Sequence, residues 1–310
     1  MTFSSAVTVE DALPPGVRSL VRTSPLVESR ALGCMLKLEF LQRTGSFKLR
    51  GACVALARLH AAGATSVIAA SAGNHGLGVA CAAQVLGMSA TIVVPHSSAQ
   101  NKREKIAALG AILVIGGADY DEAEAIAKRR ASEEGVVFVS PFDDDDVMAG
   151  NGGWLARELL AQMPALRRVV VPVGGGGLVG GLLAVLAPHA VEVLGVQPRS
   201  ASAMARSLVE GGPILVDGGA TIASGLDGGI SARTYEIARE HALRMILVEE
   251  DEILPAVAWA YRELGQLIEP ASATVLAAAL AKKLTLDAST VVVLTGGNLE
   301  GALLDRALLL

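Results

Sequence analysis

From residue 66 onward the chain alternates short apolar runs rich in β-branched residues with stretches of helical periodicity, and nothing else in the sequence restricts the fold as strongly. The runs at 66–70, 90–95, 111–115 and 136–139 are separated by helical stretches near 74–86, 101–109 and 120–133. A second series of runs follows at 168–173, 191–196, 245–248 and 290–294. Strand–helix–strand order builds parallel sheets through crossover helices. A run such as Ala90-Thr91-Ile92-Val93-Val94, apolar without alternation, suits a strand covered on both faces. The expected class is therefore α/β, with doubly wound parallel sheets, and 310 residues suffice for two domains. Asp143-Asp144-Asp145-Asp146 interrupts the rhythm and reads either as a metal cluster or as a solvated turn capping the next helix. It also marks a boundary. A small α/β domain at 66–142 is expected, inserted into a large domain of 1–65 and 143–310.

Several function classes are disfavoured by composition. With 26 basic and 31 acidic residues the net charge is −5, so there is no basic footprint for nucleic acid. The stretch 1–16 carries Glu10 and Asp11 and no basic region ahead of an apolar block, so no secretory leader is expected. The 20 charge-free residues 169–188 match a membrane span in length, but Pro172, Pro188 and six glycines suit a strand, a tight loop and a helix instead. Cys34, Cys53 and Cys81 are odd in number and lack metal-site spacing, which fits a reduced, cytoplasmic setting, with Cys53 and Cys81 simply packed.

Within Thr44-Gly45-Ser46-Phe47-Lys48-Leu49-Arg50-Gly51-Ala52, Ser46 reads as the N-cap of a helix running to His60. Ala52, Ala55, Leu56 and Leu59 then share one stripe, and Lys48 heads it, whereas Arg50 and Arg58 fall on the solvated side. Desolvation and the positive end of the helix dipole both disfavour an inward ammonium at that place. A neutral amine is a nucleophile that forms imines. The stretch alone leaves open a lysine whose stem is buried while its charge reaches water.

Three loops at strand ends are the places to seek chemistry, because ligands of open α/β sheets bind beyond the carboxyl ends of strands. The first, Ser71-Ala72-Gly73-Asn74-His75-Gly76, offers small polar groups at a helix N-terminus, although Asn74 could merely cap that helix. The second is Gly174-Gly175-Gly176-Gly177-Leu178, whose amides can converge on one anion. Gly175, Gly177 and Gly180 also match the dinucleotide fingerprint, but that motif expects an acid at the end of the next strand, where Gln197 stands. A single phosphate fits better. The third is Thr295-Gly296-Gly297-Asn298, which a turn alone would explain.

The Ser-Phe-Lys segment and these three loops, in this order, resemble the fold-type II pyridoxal-phosphate enzymes of the serine/threonine dehydratase and serine racemase group, from about Thr23 to Asn298. The resemblance implies a tryptophan synthase β-like fold of two doubly wound domains with pyridoxal 5′-phosphate between them, and a homodimer. It implies that Lys48 holds the cofactor and acts as the base at Cα. Gly174, Gly175, Gly176, Gly177 and Leu178 would bind the phosphate, Asn74 the phenolic oxygen and Thr295 the pyridine nitrogen. Phe47, Gly225 and Glu269 would lie near the ring, and Ser71, Ala72, Gly73, Asn74 and His75 would hold the substrate carboxylate. A hydroxyl at the pyridine nitrogen weakens the ring as an electron sink and suits elimination.

Two departures narrow the expectation. Serine racemases place a serine at the position of Ala72 to reprotonate Cα from the far face; metal-activated relatives carry acids where this chain has Gln197 and Ala203, so no metal is expected. The expected reaction is dehydration of a β-hydroxy amino acid, L-threonine or L-serine, to a 2-oxo acid and ammonia, the cofactor phosphate protonating the leaving hydroxyl. The chain ends at Leu310, leaving no room for the regulatory domain of allosteric relatives. Alternatives are dehydration of threo-3-hydroxyaspartate or phenylserine, with Arg43 meeting the extra carboxylate of the former, a racemase, a β-replacement synthase, or a non-catalytic cofactor-binding regulator.

Overall fold

The computed structural model describes residues 9–215 and 219–310; the expectation about a leader falls largely on residues 1–8, outside these. The strands of the described residues are β1 Leu26–Ser29, β2 Cys34–Leu38, β3 Ser66–Ala70, β4 Ser89–Val94, β5 Ile112–Ile115, β6 Val137–Phe138, β7 Arg168–Pro172, β8 Glu192–Pro198, β9 Arg244–Val248 and β10 Thr290–Leu294. They form a six-stranded sheet, β1-β2-β10-β7-β8-β9, and a four-stranded sheet, β5-β4-β3-β6. Every pairing is parallel except that of β1 with β2. The four strands of the smaller sheet come from the first series of apolar runs. The charge-free run at 169–188 resolves into β7, a glycine turn and the helix Gly177–Leu186. No helix of the described residues is long and apolar enough to cross a membrane.

Period-two burial on the larger sheet shows why its strands are apolar throughout. Val291 and Val293 of β10 join the core with Leu182 on one face, while Val292 and Leu294 join that with Ala273 on the other. The smaller sheet shares its core with the helix Lys48–Ala61, through Leu49, Leu56, Val67, Ile92 and Trp154. Asp144 caps the helix Asp145–Met148, accepting from the amides of Asp146 (2.8 Å) and Val147 (2.9 Å), which fits the turn reading of the acidic run. That helix continues through a π-helical turn, Ala149–Trp154, into the helix Leu155–Gln162.

β1 and β2 do not stand out in the sequence because charges interrupt them. Lys37 and Glu39 look like surface residues, yet both are fully buried. Lys37 Nζ donates to the Ser24 carbonyl at 2.8 Å and to Gln162 at 2.7 Å, and it pairs with Glu158. Arg50 corrects the reading of the lysine helix. Instead of lying on a solvated face it is wholly buried, gripping Glu39 through Nε (2.8 Å) and Nη2 (2.7 Å) and facing Glu158 at 3.0 Å. Burial works against both charges, and each outweighs it for the other, so Arg50 stays cationic and Glu39 is held below the usual carboxylate range. Arg58 is exposed, as expected, and pairs with Asp146. Cys34, Cys53 and Cys81 are free and buried.

Candidate active site

The loops after β3, β7 and β10 open onto one cavity of about 580 Å³, and the head of the helix Lys48–Ala61 enters it from the side. That helix begins two residues later than Ser46. Phe47 occupies the cap position with helical backbone angles, and Ser46, buried, accepts the Lys48 amide on its hydroxyl at 3.2 Å. The segment is tied to the third loop, since the Phe47 amide donates to the Thr295 carbonyl at 3.0 Å and Ser46 bridges to Gly296. Lys48 Nζ faces the cavity, donates to the Pro141 carbonyl at 3.0 Å and lies 5.4 Å from the Phe47 ring centroid. Burial pushes its pKa down to about 8, with Glu269 pulling the other way. A useful fraction of the amine is therefore neutral near neutral pH.

The glycine loop is constrained by close neighbours. A Cβ on Gly174 would strike the Gly225 carbonyl, one on Gly175 the Phe142 ring, and one on Gly177 the Phe142 backbone at 2.7 Å. Gly176 has φ +98°, a left-handed conformation that favours glycine, and its Cβ would meet Thr234 at 2.7 Å. It precedes the helix Gly177–Leu186, whose first amides have no acceptor within the helix, and Gly174 to Val179 all line the cavity. The dinucleotide alternative loses its other half as well: Gln197 lies within β8, buried, and spends Oε1 on the Ala205 amide at 3.0 Å. Ala203 is also buried.

In the first loop the helix Asn74–Leu86 is capped by Gly73, with no side-chain cap, so Asn74 does not serve as one. Its Nδ2 donates to Glu269 at 2.8 and 3.1 Å, and its Oδ1 accepts from Asn298 Nδ2 at 2.7 Å. Burial raises the Glu269 pKa, and the Asn74 bond draws it back. Ser71 accepts the Gly73 amide at 3.1 Å. His75 lines the cavity, but its imidazole is committed elsewhere. Nε2 lies 3.0 Å from the Val139 carbonyl, which can only accept, so Nε2 carries the proton, and the donor left for a ligand is the backbone N–H. Burial first, then Lys48, pushes the His75 pKa down to about 3.

Ala72, Leu178, Gly225 and Thr295 all line the cavity. Thr295 is buried at the end of β10, and Gly225 has φ +92°. Arg43 is exposed and is not among the lining residues. Pro141 and Phe142, which hold Lys48 and brace the glycines, escaped the sequence reading, because nothing in a short Pro-Phe pair announces a contact with residues so distant in the chain.

A model of the family described as "Pyridoxal-phosphate dependent enzyme" matches residues 17–296. An L-threonine ammonia-lyase of Thermotoga maritima is 37% identical over 295 residues, covering 93% of this chain and 73% of its own. One of Geobacter sulfurreducens is 37% identical, covering 94% and 74%. Among solved structures, a processed threonine deaminase isoform 2 from Solanum lycopersicum superimposes with TM-score 0.86 at 30% identity, covering 96% of this chain and 90% of its own. A maize serine racemase gives TM-score 0.86 at 27% identity, covering 98% of both chains.

Proposed function

Since the chain belongs to the pyridoxal-phosphate dependent enzymes, we propose that it is an ammonia-lyase that dehydrates L-threonine or L-serine to a 2-oxo acid and ammonia. The observation that carries this reading is the meeting, in one cavity, of an amine with pKa about 8 and a cradle of four glycines. The residues fit the cofactor. The amine is the group an aldehyde requires, and the cradle suits a phosphate, because it lines the cavity at a helix N-terminus with neighbours too close for Cβ atoms. Pyridoxal phosphate, when bound, supplies an aldehyde for the substrate amine and an electron sink for the pair left when Cα loses its proton.

The chain's own part is to bind, orient and move protons. Gly174 to Leu178 bind the phosphate through amides, and the positive end of the helix Gly177–Leu186 favours its charge. Thr295 offers a neutral hydroxyl to the pyridine nitrogen. Phe47, Gly225 and Glu269 would border the ring, and Asn74, steadied by Glu269 and Asn298, would hold its oxygen. The Ser71–His75 loop receives the substrate carboxylate at the N-terminus of the helix Asn74–Leu86. Lys48, its amine facing the same cavity, would be the base that takes the Cα proton. Ala72, in the place of a racemase's serine, would offer Cα a methyl group instead of the hydroxyl that returns a proton and inverts it. The proton lost from Cα is matched by the one the β-hydroxyl gains to leave as water, and the released enamine takes up water to give the 2-oxo acid and ammonia. The small domain at 66–142, a homodimeric assembly and a cytoplasmic location belong to the same proposal.

The test is a panel of β-hydroxy amino acids scored for ammonia and 2-oxo acid, with chiral analysis of recovered serine. Threonine and serine should lead, with D-serine far below pyruvate, because a missing general acid costs about 10²- to 10⁴-fold in rate. Ala72→Ser should raise the ratio of D-serine to pyruvate. Equal D-serine and pyruvate from the wild type would overturn the lyase reading in favour of racemisation.

A further inference from the structure

The lysine helix and the glycine cradle come from segments about 130 residues apart, yet one short piece of chain touches both. Gly150, Asn151 and Gly152 lie in the π-helical turn Ala149–Trp154, all fully buried. On one side a Cβ at Gly150 would strike the Arg50 carbonyl and the Gly51 Cα, both at 2.6 Å. On the other a Cβ at Gly152 would strike the Leu178 carbonyl and, at 2.5 Å, the Leu182 amide. The turn is thus a backbone-to-backbone spacer between the two elements that carry the amine and the anion site.

Asn151 makes the specific link. Its Oδ1 accepts the Gly51 amide at 2.9 Å, across a sequence separation of 100 residues. That amide needs such a partner because the first turn of the lysine helix is tightened: Arg50 N donates to the Phe47 carbonyl at 3.0 Å, the acceptor a regular helix would give Gly51. Asn151 Nδ2 is buried and has no hydrogen-bond partner among the described residues. Single-turn π segments inside α-helices often occur at functional sites, where one extra residue redirects a side chain.

We propose that Asn151 is a positioning residue: by holding the tightened first turn of the lysine helix against the π-helical spacer, it fixes the reach of Lys48 over the glycine cradle. The proposal rests on the cofactor reading but not on which amino acid is consumed.

The experiment compares two ligands on the apoenzyme. Pyridoxal 5′-phosphate engages the cradle and Lys48 together; pyridoxine 5′-phosphate, which lacks the aldehyde, engages the cradle without bonding to Lys48. For Asn151→Ala, affinity for pyridoxal 5′-phosphate should fall roughly tenfold or more, the scale of leaving a buried donor without an acceptor. Affinity for pyridoxine 5′-phosphate should stay within about twofold, a scatter expected when no interaction is lost. Asn151→Asp keeps an oxygen at the Oδ1 position and should restore most of the loss. Equal weakening of both ligands, or unchanged affinity for pyridoxal 5′-phosphate, would overturn the proposal. Should Asn151→Ala fail to fold, Asn151→Ser, which leaves room for a water but holds its hydroxyl too short to replace Oδ1, carries the same comparison. A wild-type protein that binds neither ligand would instead refute the cofactor reading, so the two failures are distinguishable.

Discussion

Lys48 and His75 are both nitrogen groups whose charged forms burial disfavours, but they serve opposite ends. Capture of pyridoxal phosphate by the apoenzyme needs the neutral amine of Lys48. Its rate should climb about tenfold per pH unit below pH 8 and level off above it, as a single titration requires. Stopped-flow absorbance checks this, and borohydride reduction followed by peptide mapping should find the cofactor fixed on Lys48 alone. For His75 the linkage runs through stability. The unfolded imidazole takes up a proton below about 6.5, whereas the folded one resists until about 3. Acidification through that window therefore favours unfolding, by up to ~1.4 kcal/mol per pH unit. His75→Gln, which keeps a donor toward the Val139 carbonyl but cannot titrate, should flatten that part of the pH–stability curve measured by urea denaturation.

At the level of elements, the glycine loop makes a prediction that a phosphate-binding motif alone would not. The Gly175 Cβ position points at the Phe142 ring, so Gly175→Ala should cost about 1–3 kcal/mol of stability through overpacking. Phe142→Ala in the same chain should return a good part of it, whereas no partner change should rescue Gly176→Ala, where the left-handed backbone itself costs roughly 1–2 kcal/mol. Paired thermal melts of singles and doubles would decide. The strands of both series and the three loops after them were legible because apolar runs and glycine clusters are local signals. The beginning of the lysine helix was legible only approximately, since a third loop at 295–296 pulls Ser46 and Phe47 into its own hydrogen bonds. Arg50, Lys37 and Glu39 were misread or unread for a shared reason. A charge looks solvated until its partner is known: Lys37 and Arg50 meet in Glu158, more than 100 residues away, and Glu39 is buried against Arg50 from a different element. That the imidazole of His75 meets the Val139 carbonyl could not be seen in a local pattern either.

On the scale of the whole molecule, the cluster of Lys37, Glu39, Arg50 and Glu158 fastens β2, the lysine helix and the helix Leu155–Gln162 to one another. Glu39→Leu leaves Arg50 short of its main partner in a dry site and should cost about 3–5 kcal/mol, while adding Arg50→Leu should recover much of it. Denaturant midpoints of the two variants give the comparison. The order of the larger sheet has a separate bearing on how the molecule comes into being. β10, synthesised after the other strands of the described residues, sits between β2 and β7, two strands made long before it. Until residue 294 has left the ribosome, β2 and β7 are each left with an open edge facing the gap. Such edges recruit other chains. A nascent chain stalled before β10 should therefore be a client for chaperones, and Thr295, carried at the tip of that strand, reaches the cofactor site only in the closing step of folding.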